Sequence, residues 1–522
     1  MEHRSFIPVT RLLAMLGQWE PAAPTDADGG VASGPGIPKY VALADAIGAR
    51  IHDGEAAGGL RLPSERELAG RLGVSRGTVV SAYALLEERE LVERRRGSGT
   101  WVRAVVAPMT AADRRHGLWS LYRGAARPGQ PDAERRDSDD PIDLAIGAPR
   151  DIPEVLIEGI GWAAEQLRGM RDHGYHAGGV MVARRAIADR YTRAGVPTEP
   201  EQIVVTAGAQ SAVSLVARLY LAQHAPVAIE TPAYPGAIEA FQRAGGTLVP
   251  VPRDIDGPRP EALAAVLAAR PTPLVYVVPD VHNPTGDVIS LTRRRRLVAV
   301  AEEHDALLLE DSTLTQLSYA PPPPSLLELA PPGRVLQVGS MSKELWGGLR
   351  VGWIRVHDPH LADRIARLQA ADSFGTDVVT QLAVAWAMPR AAEVVAERRV
   401  ALGQRMTLLR ELLAEHLPDW QVHPPRGGGS LWARLPEEAA EQLLALARRR
   451  GVSVVPGNAC AVGDAFGDHV RLAAWAGEEE LRLGVERLAA AWGDVTGHPP
   501  AGTPRPARVA PRAWDAKDVV SP

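Results

Sequence analysis

Cysteine is nearly absent. The 522 residues hold one, Cys460, so no internal disulfide can form, and no Cys/His cluster at zinc spacing surrounds it. Neither an oxidising compartment nor a bound metal is therefore expected. Cys460 itself reads as a small buried residue. Long apolar runs are missing too: no stretch of eighteen uninterrupted apolar residues is present to cross a bilayer. The start, Met1 to Thr10, mixes charged and polar residues with no apolar segment of the secretory kind behind them. A cytoplasmic chain without a membrane partner is the expectation. An excess of basic charge is also lacking, since the formal net charge is −5, which argues against an indiscriminate polyanion binder. No internal repeat is visible.

What is present is length and apolar content. At 522 residues and 45% hydrophobic the chain exceeds one ordinary core, and two or more domains are expected. Charge divides unevenly between them. Residues 39–103 carry 11 Lys+Arg against 9 Asp+Glu, a net of +2, which leaves −7 for the remainder. Composition suggests five regions: an N-terminal extension, 1–38, ending in a Gly/Pro/Ala/Asp-rich run; a compact unit, 39–103, patterned from near Tyr40; a polar linker, 104–141; a large unit, 142–495; and a Pro/Ala/Arg-rich disordered tail, 496–522.

In the first compact unit, Val41, Leu43, Ala44, Ile47 and Ile51 suit one face of a helix. Ser64 followed by Glu67 is a capping box opening a second helix, in which Leu68 and Leu72 share a face. Gly73-Val74-Ser75 is a tight turn, and a third helix from about Arg76 to Arg89 turns Val79, Tyr83 and Leu86 inward. This arrangement leaves Ser75, Arg76 and Thr78 at the outer N-terminal end, where a recognition helix meets base edges and phosphates. Leu91 to Val102 reads as a β-hairpin with a Gly-rich tip at Gly97-Ser98-Gly99, and Arg94, Arg95 and Arg96 beside it can supply phosphate contacts. The segments Leu62 to Ala69 (LPSERELA), Val74 to Val79 (VSRGTV) and Arg96 to Thr100 (RGSGT) together resemble the winged helix-turn-helix of the GntR family. That resemblance implies DNA contacts from Arg66, Arg76 and the wing around Gly97. Val80 stands where some relatives carry a second arginine.

After Ile142, short apolar runs such as Ile203 to Val205, Val227 to Ile229, Leu274 to Val278 and Leu307 to Leu309 alternate with amphipathic helical stretches such as Arg293 to His304. The alternation predicts a mainly parallel α/β sheet covered on both faces. Four motifs fall at its strand ends. Ser340 to Trp353 (SMSKELWGGLRVGW) offers Lys343 with a serine three residues before and an arginine, Arg350, seven after, so that Ser340 and Arg350 can converge on a phosphate. Thr206 to Gln210 (TAGAQ) follows a strand and opens a helix, so backbone N–H groups at Gly208, Ala209 and Gln210 form a second phosphate cradle. Thr231 to Gly236 (TPAYPG) sets Tyr234 on a rigid turn, able to lie against a ring. His282 to Gly286 (HNPTG) puts Asn283, and the next apolar strand puts Asp311, where an open α/β sheet binds ligands. A lysine for a Schiff base, an acid for a pyridine nitrogen, phosphate donors and a flat side chain are the needs of pyridoxal phosphate.

In this order and spacing the set resembles the fold-type I aminotransferase family over about residues 142–495. The resemblance implies a smaller C-terminal α+β subdomain, Lys343 as the Schiff-base lysine, Asp311 at the pyridine nitrogen and Asn283 at the phenolic oxygen. It further implies Tyr234 stacked on the ring, with Gly208, Ala209, Gln210, Ser340 and Arg350 at the phosphate. It points to Arg471, in His469 to Leu472 (HVRL), as the binder of an effector's α-carboxylate, and to Tyr175 as a residue reaching the phosphate of the other subunit. Thr313 departs from the pattern, standing where many relatives place a tyrosine two residues after the aspartate.

The two halves together resemble the MocR subfamily of GntR-type regulators. The resemblance implies a head-to-tail homodimer that binds double-stranded operator DNA and senses pyridoxal 5'-phosphate, or an amino compound, through exchange between internal and external aldimine at Lys343. The competing expectation is an active aminotransferase with an appended DNA-binding domain, and a third is a DNA-binding protein on a dead scaffold.

Overall fold

Caps and turns punctuate the N-terminal helices. The computed structural model describes residues 6–7, 9–16, 19, 38–52, 60–89, 91–95, 99–102, 141–221, 225–463 and 465–497. The chain divides into two compact units, Met1–Gly117 and Leu118–Pro522. In the first, helices α1 (Val9–Leu16), α2 (Lys39–His52), α3 (Glu65–Leu72) and α4 (Arg76–Glu88) precede strands β1 (Val92–Arg95) and β2 (Gly99–Val102). Ser64 opens α3 by accepting the Glu67 N–H at 3.3 Å; the return bond expected from the Glu67 side chain is not formed among the described residues. Gly73, at φ 68°, closes α3 in a left-handed turn that few other residues adopt cheaply. Ser75 then caps α4, accepting the Thr78 N–H at 3.1 Å. Leu43, Ile47, Leu68, Val79, Tyr83 and Leu86 share one core. The wing strands pair antiparallel, with Val92 opposite Val102, and the stretch 60–62 joins them through Leu62 N–H to Thr100 O and Val102 N–H to Leu60 O, both 2.9 Å.

One expectation is corrected here. Patterning alone starts the compact head near Tyr40, whereas Ile7, Val9, Leu12 and Leu16 are buried in that same core, and Ile7 N–H donates to Arg61 O at 2.8 Å. An eight-residue helix has too few internal bonds to stand alone, so α1 owes its place to the apolar surface it covers. The linker up to residue 140, the tail beyond 497, and most of the N-terminal extension lie outside the described residues.

The second unit opens with β3 (Ile142–Asp143). Its large sheet comprises β4 (Ile203–Thr206), β5 (Pro226–Thr231), β6 (Thr247–Asp254), β7 (Gly257–Pro258), β8 (Leu274–Val277), β9 (Leu307–Asp311), β10 (Val335–Ser340) and β11 (Gly352–Arg355). Their order is β4-β11-β10-β9-β8-β5-β6-β7. Strands β5, β6, β8, β9 and β10 are parallel. Because β11 is antiparallel to both neighbours, β4 points the same way as β10. The C-terminal ends of β4, β5, β8, β9 and β10 therefore share one edge of the sheet, the edge where α/β ligand sites form. Strand β8 is apolar and buried throughout, and β9 is apolar over Leu307 to Leu309 and buried from Leu308 onward, as expected of strands covered on both faces. Helices α5 (Glu154–Gly169), α6 (Met181–Arg193), α7 (Ala209–Tyr220), α8 (Pro235–Arg243), α9 (Pro260–Ala269), α10 (Leu291–Glu303), α11 (Pro359–Ser373) and α12 (Val378–Ala387) provide the cover.

The expected α+β subdomain follows. Strands β12 (Gln421–Val422), β13 (Ser430–Arg434), β15 (Val455–Pro456) and β16 (His469–Ala473) form an antiparallel sheet in the order β12-β13-β16-β15, and β14 (Val452–Ser453) pairs parallel with β3. Helices α13 (Ala392–His416), α14 (Ala440–Arg449) and α15 (Glu478–Thr496) pack on it around Leu409, Leu431, Leu443, Leu472 and Leu488. Ile142 and Leu144 are buried in that core as well, so the unit's first strand belongs to its last subdomain. Among the described residues no helix is long and apolar enough to cross a membrane, and no group of three or more acidic, His or Cys side chains is placed to hold a metal.

Candidate cofactor pocket and nucleic-acid face

On the head, Arg66, Ser75 and Arg76 are exposed and Thr78 is half-buried. The Ser75 and Thr78 hydroxyls lie 2.9 Å apart, so the pair that caps α4 also forms the polar tip of its first turn. Arg76 meets Glu65 at 3.4 Å with 71% of its side chain exposed, an ion pair too solvated to hold it back from another partner. Arg94 is exposed and anchored at one nitrogen: its Nη2 donates to Val80 O at 2.8 Å, and Glu87 and Glu65 lie 3.6 and 3.9 Å away. It braces the wing against α4. Arg95 is on β1; Arg96 and Gly97 fall outside the described residues.

The large unit holds a cavity of about 320 Å³ at the shared edge of its main sheet. Strand ends deliver the lining. Ala209 and Gln210 come after β4, Tyr234 after β5, Asn283 after β8, Asp311 from the end of β9, and Ser340 and Lys343 from the end of β10. Arg350 and Arg471 complete it, the latter from β16 of the subdomain. Ala209 and Arg471, far apart along the chain, thus converge on one space through topology alone.

Lys343 Nζ donates to Gly147 O at 2.5 Å. The residue is half-buried along its length, yet its ammonium is enclosed by protein. Loss of solvation, then the neighbouring Arg471 and Arg350, lower its pKa to about 8 against the pull of Asp311. The turn carrying it is clamped: Arg190 grips Glu344 through two bonds of 2.6 and 3.0 Å, and Arg398 donates to Glu344 O and Leu345 O at 3.1 and 2.8 Å. Asp311 is held on both oxygens, by Tyr276 Oη at 2.7 Å and by Thr313 N–H at 3.0 Å. Burial and the nearby carboxylate push the Tyr276 hydroxyl far above its usual pKa, so it remains a donor.

At the mouth of α7, no side chain caps the helix, and its N-terminal N–H groups are left for another acceptor. Gly208, at φ 84°, lets the Arg350 guanidinium approach; a Cβ there would sit 2.8 Å from Arg350 Nη2. Arg350 donates to Ala207 O at 2.9 Å. It and Val281, another lining residue, have φ of 53° and 52°, a conformation costly for non-glycine residues and concentrated at functional sites. Ser340 Oγ is spent on Val351 O, whereas Ser342 Oγ, Thr313 Oγ1 and Arg471 Nε are buried without a protein partner. Arg471 donates to Asn283 Oδ1 at 3.1 Å and to Ala145 O. The Tyr234 ring folds over Gly236, where a Cβ would lie 2.5 Å from it.

Of the predicted pocket residues, Gly208 stands immediately beside the lining and Tyr175 stands apart. Tyr175 is 74% exposed and packs on Phe374 with ring centroids 5.5 Å apart. Sequence reasoning overlooked Tyr276, Trp475 and the Gly147 carbonyl. A hydroxyl-bearing aromatic inside the apolar run Leu274 to Val278 was the available signal for the first; the other two carry none.

Comparison with known proteins agrees with both halves. Residues 39–102 match the family of bacterial regulatory proteins, gntR family, and residues 139–488 match aminotransferase class I and II. The chain is 32% identical to the probable rhizopine catabolism regulatory protein MocR of Rhizobium meliloti over 80% of this chain and 86% of that one. It is 28% identical to the HTH-type transcriptional regulator YdfD of Bacillus subtilis, over 87% and 96% respectively. Among solved structures, the α-aminoadipate aminotransferase LysN of Thermus thermophilus, complexed with N-(5'-phosphopyridoxyl)-L-leucine, superposes with a TM-score of 0.62 at 28% identity, covering 73% of this chain and 99% of that one.

Proposed function

Because the chain belongs to the aminotransferase class I and II family and is headed by a gntR-family domain, we propose that this transcriptional regulator acts in the cytoplasm as a dimer. In this reading it holds pyridoxal 5'-phosphate on Lys343 and changes its grip on operator DNA when an amine reaches that site. The observation that carries the reading is the meeting of Lys343, Asp311, Asn283, Arg350 and Arg471 around one cavity. The residues present fit the cofactor. Ser342 Oγ is a buried donor without a partner, the start of α7 is uncapped, and the absence of a Cβ at Gly208 keeps open a cradle beside Arg350.

In this reading Lys343 Nζ attaches the cofactor, and Asp311, held in place by its two donors, faces the pyridine nitrogen. Gly208, Ala209, Gln210, Arg350 and, once its hydroxyl turns from Val351 O, Ser340 would hold the phosphate, Asn283 the phenolic oxygen, and Tyr234 the ring face. When bound, pyridoxal phosphate supplies an electron-poor ring and a carbonyl carbon that takes amines covalently. Arg471 would receive an effector's carboxylate, its planar fork suited to bidentate pairing. Tyr175 would serve the partner subunit in a head-to-tail dimer, and Arg66, Ser75, Arg76 and Thr78 would meet DNA, with Arg94, Arg95, Arg96 and Gly97 on the wing. Regulation then requires only that the effector bind one dimer conformation better than the other.

The test is an absorbance spectrum of the full chain with added pyridoxal phosphate, for wild type and Lys343→Ala, paired with binding to duplex DNA. The cofactor's near-visible band is expected in wild type and absent from the variant, with DNA binding retained in both. No band in either protein would leave the large unit as a scaffold only. The second reading, an active aminotransferase, is favoured by the same complete set of Lys343, Asp311 and Arg471. Steady conversion of an amino donor with a keto acid would support it, and a single spectral change without turnover would exclude it.

A further inference from the structure

Given a cofactor on Lys343 with its phenolic oxygen at Asn283, as read above, Asn283 must be held in place by the turn that carries it. That turn, Asp280 to Asp287, follows β8 and also supplies Val281 to the pocket lining. Val281 has φ of 52°, a conformation that persists only where its surroundings over-determine it. Two buried arginines pin the turn's ends: Arg294 bonds Asp280, and Arg253, on β6, donates to Asp287 Oδ2 at 2.7 Å. Thr285 is the hub of the second end. Its Oγ1 accepts from Arg253 Nη1 at 2.9 Å and donates to Asp287 Oδ2 at 2.5 Å. The hydroxyl's one proton is thereby spent, so His282 Nδ1, also 2.9 Å from Oγ1, is the donor there. His282 and Thr285 flank Asn283 and Pro284 and are tied together across them. The backbone repeats the closure, with Gly286 N–H on His282 O at 2.6 Å and His282 N–H on Asp287 O at 2.9 Å.

Arg253 fastens this hub to the sheet. Its Nε donates to Glu230 Oε2 on β5 at 3.2 Å, Glu230 Oε1 accepts the Val278 N–H at 2.7 Å, and His282 Nε2 lies 3.5 Å from Glu230 Oε2. His423 stands at the solvent side, 3.6 Å from Asp287 Oδ1; the other members are buried within one chain. Buried ion pairs seldom add stability over apolar packing of the same volume, and here Arg253 Nη2, His282 Nε2 and Asp287 Oδ1 lack a protein partner. Such a network orients more than it stabilises. Asn283 is oriented too: its Oδ1 accepts from Arg471 Nη1 at 3.1 Å, which leaves its Nδ2 hydrogens to donate. We propose that Arg253 and Thr285 are positioning residues for the cofactor, touching it nowhere themselves and together holding the Asn283 amide where it donates to the phenolic oxygen.

A hydrogen bond to the charged phenolic oxygen favours that charged form, so the pH at which the loaded cofactor's near-visible band changes reads the place of Asn283. The experiment titrates that band with pH in the full-length protein loaded with pyridoxal phosphate; Lys343, Asp311, Arg350 and Arg471, which face the same pocket, are kept in every variant. Asn283→Ala, the reference, should raise the midpoint by about 1 pH unit or more. Thr285→Val should raise it by about 0.5 unit or more, and Thr285→Ser, which keeps the hydroxyl, should stay within about 0.3 unit of wild type. Arg253→Met should act as Thr285→Val does; if that protein does not fold, Thr285→Val, which leaves every charge in place, decides alone. In the double variant Asn283→Ala/Thr285→Val the midpoint should move no further than in Asn283→Ala, because both changes remove one interaction. A Thr285→Val protein with the wild-type pH dependence, or shifts that add in the double variant, would overturn the inference while leaving the cofactor reading intact. A midpoint unmoved by Asn283→Ala would overturn it together with the placement of Asn283. Failure to load the cofactor at all would overturn both readings, and is recognised before any titration.

Discussion

The head and the large unit handle arginine in opposite ways. On the head, Arg66 and Arg76 sit exposed near the ends of short helices, where an ion pair such as Arg76 with Glu65 is cheap to exchange for a phosphate. In the large unit Arg294 is fully buried, donating to Ile289 O at 3.0 Å, to Pro323 O, Pro324 O and Pro279 O at 3.1 to 3.2 Å, and to Asp280. Arg471, likewise buried, keeps one nitrogen unspent. A surface that must meet a polyanion needs mobile, solvated cations, whereas a pocket that reads a small amine, as proposed for this one, needs cations fixed before the ligand arrives. The same side chain serves both ends because burial sets what it costs to leave it unpaired.

If that contrast holds, Arg294→Met should be the most damaging change, since it strands Asp280 in the interior. We expect a loss of about 3–5 kcal/mol in urea unfolding of the large unit, and a loss within about 1 kcal/mol would place the pair with the solvated ones. Tyr276→Phe should come next. It removes the hydroxyl bonded to Asp311 while keeping the ring packed edge-on to Phe241. A bond to a charged group is worth about 1.5–3 kcal/mol, so cofactor retention measured by dialysis should weaken by about tenfold or more. Retention equal to wild type would show that the Thr313 N–H suffices for Asp311.

Acidity separates the two surfaces further. Burial and two neighbouring guanidiniums hold the Lys343 amine at about 8 rather than 10.5, so its neutral, nucleophilic form grows as pH rises and predominates above about 8. Reaction of Lys343 with a small aldehyde in the cofactor-free protein, read by peptide mass spectrometry, should accelerate about tenfold per pH unit below that value and level off above it. Acceleration continuing to about pH 10 would mean an ordinary surface lysine. The same shift makes the folded chain shed this proton before the unfolded one does, so Lys343 adds stability as pH rises from about 8 to 10.5. The smallest effect is expected on the head. Ser64→Ala removes the cap of α3 and should cost about 1 kcal/mol in denaturation of the head, with no change in the cofactor spectrum; a change there would show the two units to be energetically linked.

Much of the head was legible because its determinants are local. Ser64, Gly73 and Ser75 are read within four residues of what they cap or turn, and Val79, Tyr83 and Leu86 follow a helical period. Helix α1 was not legible, since the apolar surface that stabilises it comes from α2 and α3. In the large unit the strands, and the motifs at their ends, were visible as runs and punctuation, and Lys343, Asp311, Asn283 and Arg471 could each be named.

By itself the sequence determined the kinds of element, the order in which they occur and which residues had the chemistry for a cofactor or for DNA, because capping, periodicity and turn conformation act over a few residues. Only the tertiary structure decided which of four successive arginines, residues 293–296, would be buried; that one is Arg294, while Arg295 and Arg296 stay exposed. It also decided that Arg94 would brace the wing, that Tyr276 would hold Asp311, and that Trp475 and Gly147 would close the pocket around Arg471. Those outcomes depend on which surfaces meet across the sheet edge, and desolvation, which sets the energy of each charge, is a property of that meeting and not of any single stretch of chain.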